Sequence, residues 1–331
     1  MSRRGRIWAG MIPALLSLAA AAATIQVKDQ RYTDAATVAA QYRLRATPTA
    51  QRLVLSDGKR TLSFQPDKHE FSVNNIKYHL AFPVVRRQNT YYLSDLDRRN
   101  LLEPLLNPSS VPRYRILNIV IDPGHGGHDN GAAGKTSCEK DLTLQVARRI
   151  AAKLAAYGYR VSLTRERDVY LSLPQRAEIA RQRQADLFLS IHINAAANTG
   201  VSGIECFAIT PVGAPSSGSK TAETRKYPGN SFGINSFALA NQLHRHLLAG
   251  TKAADRGVKW ARFQVLREIN CPGSLIELGF ISNRQEEARL NLASYQEAVA
   301  QAVCNAVVSY GKITNKNAPP KPPRLRAEPA R

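Results

Sequence analysis

The sequence predicts an α/β fold, a mixed and largely parallel central sheet flanked by helices and preceded by a small β-rich domain. Three observations lead there. Between Gln26 and about Leu106, short alternating apolar runs are separated by tight-turn residues. From Arg113 onward, strand-like apolar runs alternate with stretches whose apolar residues recur every three or four positions. A hydrophobic content of 44% with 21% charged residues is the balance of a globular chain, which excludes a wholly disordered protein or a membrane transporter. With 331 residues there is room for a domain of ordinary size, a smaller module and tails.

Residues 1–23 read as a secretory signal peptide. Arg3, Arg4 and Arg6 precede an apolar run from Ile7 to Ala20, which ends in the small-residue stretch Ala19 to Ala23. An uncleaved anchor is the alternative, but the run is alanine-rich, short for a spanning helix and broken by Gly10 and Pro13. The expected setting is therefore outside the cytoplasm, in the periplasm or cell envelope, with no transmembrane segment left once the signal is removed.

Residues 26–110 form the small β-rich module. Leu53 and Leu55, then Asp57-Gly58, then Leu62 and Phe64 spell a β-hairpin, because Asp-Gly supplies the turn that alternating strands need. A second hairpin turns at Asn74-Asn75, between Phe71, Val73 and the stretch Ile76 to Phe82; a helix fits within Asp34 to Tyr42. The strand pattern closes with Tyr91-Tyr92-Leu93 and Leu101 to Leu106. No cluster of metal ligands and no nucleophile with a base stands out, which favours a binding or spacer role. This pattern resembles the small N-terminal-type module of copper amine oxidases found in some exported bacterial enzymes, without a copper site.

Residues 113–311 form the second domain. An apolar strand, Ile116 to Ile121, runs into a glycine-rich loop and then a helix carrying Leu142, Val146, Ile150 and Leu154, ended by Gly158. Tyr159 to Thr164 is a strand, Leu173 to Gln184 a helix with Pro174 in its first turn, and Asp186 to Ile193 a buried strand. Gly203 to Ile209 and Ser274 to Leu278 are further strands; Ser236 to Leu248 and Ser294 to Tyr310 are helices. The stretch from Pro211 to Gly233, rich in Gly, Ser, Pro and charge, is a long loop expected to rim the site. Residues 312–331, where Pro, Lys and Arg alternate without apolar periodicity, are expected to be a disordered basic tail.

A net charge of +21 favours anionic partners, such as nucleic acid, acidic lipid or an acidic wall polymer. Export argues against nucleic acid, and no aromatic-and-basic recognition motif supports it. Cys138, Cys206, Cys271 and Cys304 permit three two-disulfide pairings or free buried thiols, and none sits in CxxC spacing.

Four residues carry the chemistry. His125 projects from the loop Asp122-Pro123-Gly124-His125-Gly126-Gly127, directly after a strand, and Glu139 opens the next helix. His192 shares one face of its strand with Ser190 and Asn194, opposite Leu189, Ile191 and Ile193, so that a polar face points at something specific. Glu277 lies among apolar residues in Ser274 to Phe280, where an uncompensated carboxylate costs several kcal/mol. A salt bridge to Arg165, Arg176 or Arg267 would also satisfy it. Two His and one Glu leave a zinc position open for water, as catalytic sites do. Non-haem iron takes the same ligand set, so an iron oxygenase is a competing reading.

Ile121 to Gly134 (IDPGHGGHDNGAAG), Glu139-Lys140, Leu163-Thr164-Arg165, Ala185 to Ala195 (ADLFLSIHINA) and Leu275 to Asn283 (LIELGFISN) resemble, in order, the zinc-dependent N-acetylmuramoyl-L-alanine amidases. The resemblance extends over roughly Ile116 to Tyr310 and includes Arg256-Gly257-Val258 and Val265-Leu266-Arg267. It implies one Zn2+ ion on His125, Glu139 and His192, Glu277 as the catalytic glutamate, and peptidoglycan as substrate. The implied reaction is hydrolysis of the amide between N-acetylmuramic acid and L-alanine, for cell-wall remodelling or daughter-cell separation, with an activating cell-division protein as a further partner. A catalytically inactive wall-binding or adaptor protein on the same fold is the alternative. His128 and Asp129 follow the metal-loop motif and receive no role. The Pro211 to Gly233 stretch lacks the apolar periodicity of the inhibitory helix in some regulated members, which implies an open or loop-gated site.

Overall fold

The computed structural model describes residues 23–315; the signal segment up to residue 22 and the tail from 316 onward lie outside the described residues. Its first part builds two sheets. Strands β1 (Thr24–Val27), β2 (Gln30–Asp34), β8 (Val85–Arg87) and β9 (Thr90–Ser94) form a four-stranded antiparallel sheet in the order β1-β2-β9-β8. Helix α1 (Ala35–Gln41) follows β2, capped by the Asp34 side chain. Strands β3 (Arg45–Pro48), β4 (Leu53–Ser56), β5 (Thr61–Phe64), β6 (Glu70–Val73) and β7 (Ile76–His79) form an antiparallel meander. Both expected hairpins are present. Asn74 and Asn75 take positive φ of 48° and 67°, which the Asn-Asn turn between β6 and β7 requires.

Leu101 to Leu106, expected as strand, is helical. Helix α2 (Asp95–Asp97) passes through a π-helical turn (Arg98–Leu102) into α3 (Glu103–Leu106). Ser94 caps this run by accepting from the Asp97 N–H, and Pro104 sits in the first turn of α3, where its missing donor costs nothing. The leucines thus meet the core on a helical rather than an alternating period, with Leu101, Leu102 and Leu106 buried.

The second part supplies β10 (Asn118–Pro123), α4 (Glu139–Ala156), β11 (Arg160–Leu163), α5 (Leu173–Gln182), β12 (Leu187–Asn194), β13 (Ile204–Ile209), α6 (Gly233–Thr251), β14 (Asp255–Ala261), α7 (Gln264–Glu268), β15 (Gly273–Phe280), α8 (Arg284–Leu290) and α9 (Ala293–Thr314). β11, β10, β12 and β15 are parallel; β13 pairs antiparallel with β15 and parallel with β14. One further pair, Val258↔Tyr78, joins β14 to β7. The result is an 11-stranded mixed sheet, β11-β10-β12-β15-β13-β14-β7-β6-β5-β4-β3, in which the β-rich module continues the α/β sheet. The joint is reinforced by the Tyr78 hydroxyl donating to Asn241 at 2.7 Å and the Lys77 N–H donating to Asp255 at 2.8 Å.

Strand alternation sorts the two faces. Ile119, Ile121, Leu189, Ile191, Ile193 and Ile276 pack into the main core, against α4, α6 and α9. Val120, Phe188 and Leu275 face a smaller core under α5 and α7. Ser190, His192 and Asn194 share this second side, as the alternation required.

All four cysteines are free thiols, three of them buried, so none of the three disulfide pairings forms. Burial pushes the Cys271 thiol up to about 12, so it behaves as an inert core group. Helix α9 runs through residues 312–314 of the stretch expected as tail, because Thr314 is buried and its carbonyl accepts from the Tyr114 N–H. Among the described residues no helix is long and apolar enough to cross a membrane.

Candidate active site

Two buried arginines shape the loop after β10. Arg165 donates to the carbonyls of Pro123, Gly124 and Lys140, and Arg176 to those of Pro123 and His125. Asp122, fully buried, accepts from Arg176 and Thr164 and from Ser190 on the neighbouring strand. Burial alone would raise its carboxyl; Arg176 and Thr164 outweigh that and hold it below the usual carboxylate range. With its carbonyls pinned, the loop turns through His125 at φ 60°, a left-handed conformation unusual for a side chain of that size. The imidazole is thereby aimed back across the strand end.

Glu139 is the first residue of α4, and both of its oxygens are engaged. Oε2 lies 3.1 Å from His125 Nε2 and accepts from the Ala132 N–H; Oε1 lies 3.0 Å from His192 Nδ1 and accepts from the Ile193 N–H. Burial works against the charge, yet the two imidazoles dominate and hold the carboxyl far below its ordinary range. The two rings stand edge to face, 5.1 Å apart. One ligand atom from each of His125, Glu139 and His192 lies within 4.8 Å of the others, close enough to share one cation. Close-packed glycines preserve that spacing: a Cβ at Gly124 would sit 2.4 Å from the His192 ring, and one at Gly131 would sit 2.6 Å from both Glu139 and His125. Two imidazole nitrogens and a carboxylate suit a divalent metal with coordination positions left open.

Asp129, given no role from sequence, belongs to this site. Its Oδ2 lies 2.8 Å from His125 Nδ1, which fixes the ring tautomer and leaves Nε2 as the inward-facing nitrogen. Its other oxygen accepts from the Gly131 N–H. His128 instead stacks on Tyr170 with ring centroids 4.1 Å apart.

Glu277 stands opposite His192 in register on β15. None of the three arginines proposed as partners from sequence binds it: Arg165 and Arg176 hold the His125 loop, and Arg267 lies over the Tyr227 ring. Its Oε2 is buried and has no hydrogen-bond partner among the described residues. Burial pushes the carboxyl well above its ordinary range, Glu139 and Glu205 add to the shift, and Lys259 opposes it.

Glu205, which the sequence did not single out, faces Glu277 from the other side on β13. It is buried, accepts from the Asn194 amide at 2.8 Å, and is paired with Lys259 and, at 3.5 Å, with Arg256. A row of ionisable side chains therefore crosses the sheet from His192 through Glu277 and Glu205 to Lys259. Cys138 occupies the N-cap position of α4 without a side-chain capping bond and lies outside this ligand group. The 211–233 stretch folds back on itself: Pro215 bridges Ala222, Ser217 bonds the backbone of Trp260, and Arg262 pairs with Glu223. No hydrogen bond among the described residues ties it to His125, Glu139, His192 or Glu277.

The family model of N-acetylmuramoyl-L-alanine amidases, Amidase_3, matches residues 119–309. The chain is 38% identical over 192 residues to N-acetylmuramoyl-L-alanine amidase LytC of Bacillus subtilis, an alignment covering 58% of this chain and 35% of LytC. It is 32% identical over 228 residues to N-acetylmuramoyl-L-alanine amidase AmiC of Escherichia coli, covering 61% of this chain and 55% of AmiC. The chain thus spans roughly a third to a half of these two relatives. Among solved structures it is similar to the catalytic domain of CwlV, an N-acetylmuramoyl-L-alanine amidase from Bacillus (Paenibacillus) polymyxa var. colistinus. That likeness has a TM-score of 0.51 at 30% identity and covers 60% of this chain and 99% of that one.

Proposed function

The chain belongs to the N-acetylmuramoyl-L-alanine amidase family, Amidase_3, and on that premise we propose that the site on β10, α4, β12 and β15 cleaves the amide between N-acetylmuramic acid and L-alanine in peptidoglycan with a single zinc ion. His125, Glu139 and His192 would hold the ion, and Asp129 keeps the His125 ring in the tautomer that presents Nε2. Zinc, when bound, supplies the Lewis acidity that polarises the scissile carbonyl and makes water a nucleophile near neutral pH. Glu277 takes the proton from the attacking water and delivers it to the L-alanine nitrogen as the carbon–nitrogen bond breaks. The pinned loop and the two glycines hold the ligands in place before substrate arrives, so that little reorganisation accompanies the reaction.

The observation that carries this reading is the unpartnered Oε2 of Glu277 beside the three-ligand group. A buried carboxylate oxygen without a partner costs stability, and such groups mark places where a reacting molecule supplies the missing contact. Digestion of purified peptidoglycan with mass analysis of the products tests it. Free stem peptides with an L-alanine amino terminus are expected; products cut within the glycan or within the stem would overturn it. The arginine-led apolar segment at residues 1–23 supports placing the reaction in the periplasm or cell envelope.

A further inference from the structure

The catalytic side chains stand on a sheet face that continues past the family-matched part of the chain. His192 faces Glu277 across β12 and β15, Glu277 faces Glu205 across β15 and β13, and Phe207 faces Lys259 across β13 and β14. Val258, on the opposite face, pairs with Tyr78, so Lys77 and His79 of β7 share the catalytic side. A Cβ on Gly257 would meet the His79 ring at 3.1 Å, and His79 and Lys77 approach Glu70 at 3.9 and 3.8 Å. Beyond them, Ser72 lies opposite Lys77, Ser63 opposite Ser72, and Val54 opposite Ser63.

The underside of these strands is core: Leu53, Leu55, Leu62, Phe64 and Phe71 are buried. The upper side is different. Ser63, Ser72 and Lys77 are partly exposed, and Gln65, Lys68 and Asn75 are exposed, so no described residue covers them. Two adjoining grooves of about 530 and 510 Å³ lie there, sharing Ser63, Ser72 and Asn75.

We propose that the exposed face of β4–β7 is a binding platform for uncleaved peptidoglycan, continuous with the catalytic face and reaching about 24 Å from Glu277 to Ser63 at roughly 4.8 Å per strand. It rests on the amidase reading and makes the intact polymer, rather than a released fragment, the preferred substrate. Residue types identify the occupant. The hydroxyls of Ser63 and Ser72 and the amides of Gln65 and Asn75 match the hydroxyl and acetamido groups of a glycan strand; Lys68 and Lys77 match the carboxylates of its stem peptides, and Glu70, 3.8 Å from Lys77, matches their amines. A docked protein would need an apolar centre, whereas the apolar lining of both grooves is confined to Val54 and Phe71.

The test uses the full chain carrying Ser63→Glu with Ser72→Glu, and separately Lys77→Glu, whose side chain is 45% exposed and whose replacement leaves the core untouched. Two quantities are read: co-sedimentation with purified insoluble peptidoglycan, and the ratio of turnover on that polymer to turnover on a single disaccharide–peptide unit. Both variants are expected to melt with the wild type, to co-sediment less, and to lower the turnover ratio about tenfold through like-charge repulsion. Folded variants that co-sediment like the wild type with an unchanged ratio overturn the platform while leaving the amidase reading intact. Concentration-dependent dimerisation that these variants abolish, with polymer binding untouched, also overturns it in favour of a second copy of the chain. A wild type that cuts neither substrate, yet loses polymer binding on substitution, supports the platform and sinks the amidase reading.

Discussion

Replacing Glu277 by glutamine exchanges a titratable carboxyl for an amide of nearly the same volume at the centre of the site. One carboxylate oxygen is buried without a partner, and burial, Glu139 and Glu205 together press the group toward its protonated form. On the proposed mechanism this side chain moves a proton, a contribution of about 10²–10⁴ in rate or roughly 3–5 kcal/mol of barrier. Glu277→Gln is therefore expected to lower kcat on purified peptidoglycan at least a hundredfold, while elemental analysis still finds one zinc per chain. The effect on stability has the opposite sign. Because the folded pKa lies above the ordinary 4.5, the favourable contribution is complete below 4.5 and is lost as pH rises through the raised value. Metal-free Glu277→Gln should then melt above metal-free wild type at neutral pH, with the gap closing below about pH 4. Turnover within tenfold of wild type would refute the proton-transfer role. A lower melting temperature at neutral pH would refute the burial argument.

Asp129→Ala removes the acceptor at His125 Nδ1 and is expected to weaken zinc binding about 10–100-fold, read by competition with a chelator; unchanged affinity would show that the ring needs no such support. Gly124→Ala drives a Cβ to within 2.4 Å of the His192 ring. It should cost about 1–3 kcal/mol of stability by overpacking and release the metal more readily, and a variant with wild-type melting and zinc content would contradict the packing. With four free thiols, adding a reductant should leave the melting temperature unchanged, whereas a drop would reveal a disulfide.

Where local chemistry fixes the outcome, the structure follows the sequence. The Asp57-Gly58 and Asn74-Asn75 hairpins form because a short turn dictates register, and β12 puts Ser190, His192 and Asn194 on one side because strand alternation leaves no other choice. His125, Glu139 and His192 are legible because each is a polar group at a point the apolar pattern marks, just past a strand, at a helix start and inside a buried strand, and they converge. Leu101 to Leu106 misled because four leucines in six residues fit a strand as readily as a short helix, and the Ser94 cap that decides the matter lies seven residues upstream. Asp129 carries no sequence signal although it sits four residues from His125, since only the turn through left-handed φ folds it back onto the ring. The Glu205–Lys259 pair joins residues 54 apart in the chain, and no local pattern announces it.

The link between β14 and β7 has a bearing on how far the folded unit extends. The family-matched stretch, 119–309, contains β14 but not the strand that lies beside it. Without residues 76–79, Val258 would keep Cys206 on one side but lose Tyr78 on the other, Asn241 would lose the Tyr78 hydroxyl, and Asp255 the Lys77 amide. A raw sheet margin of that kind invites other chains to add to it. The upstream segment is thus the selvedge of the family-matched half, and a chain cut back to the homologous core is expected to self-associate along that margin.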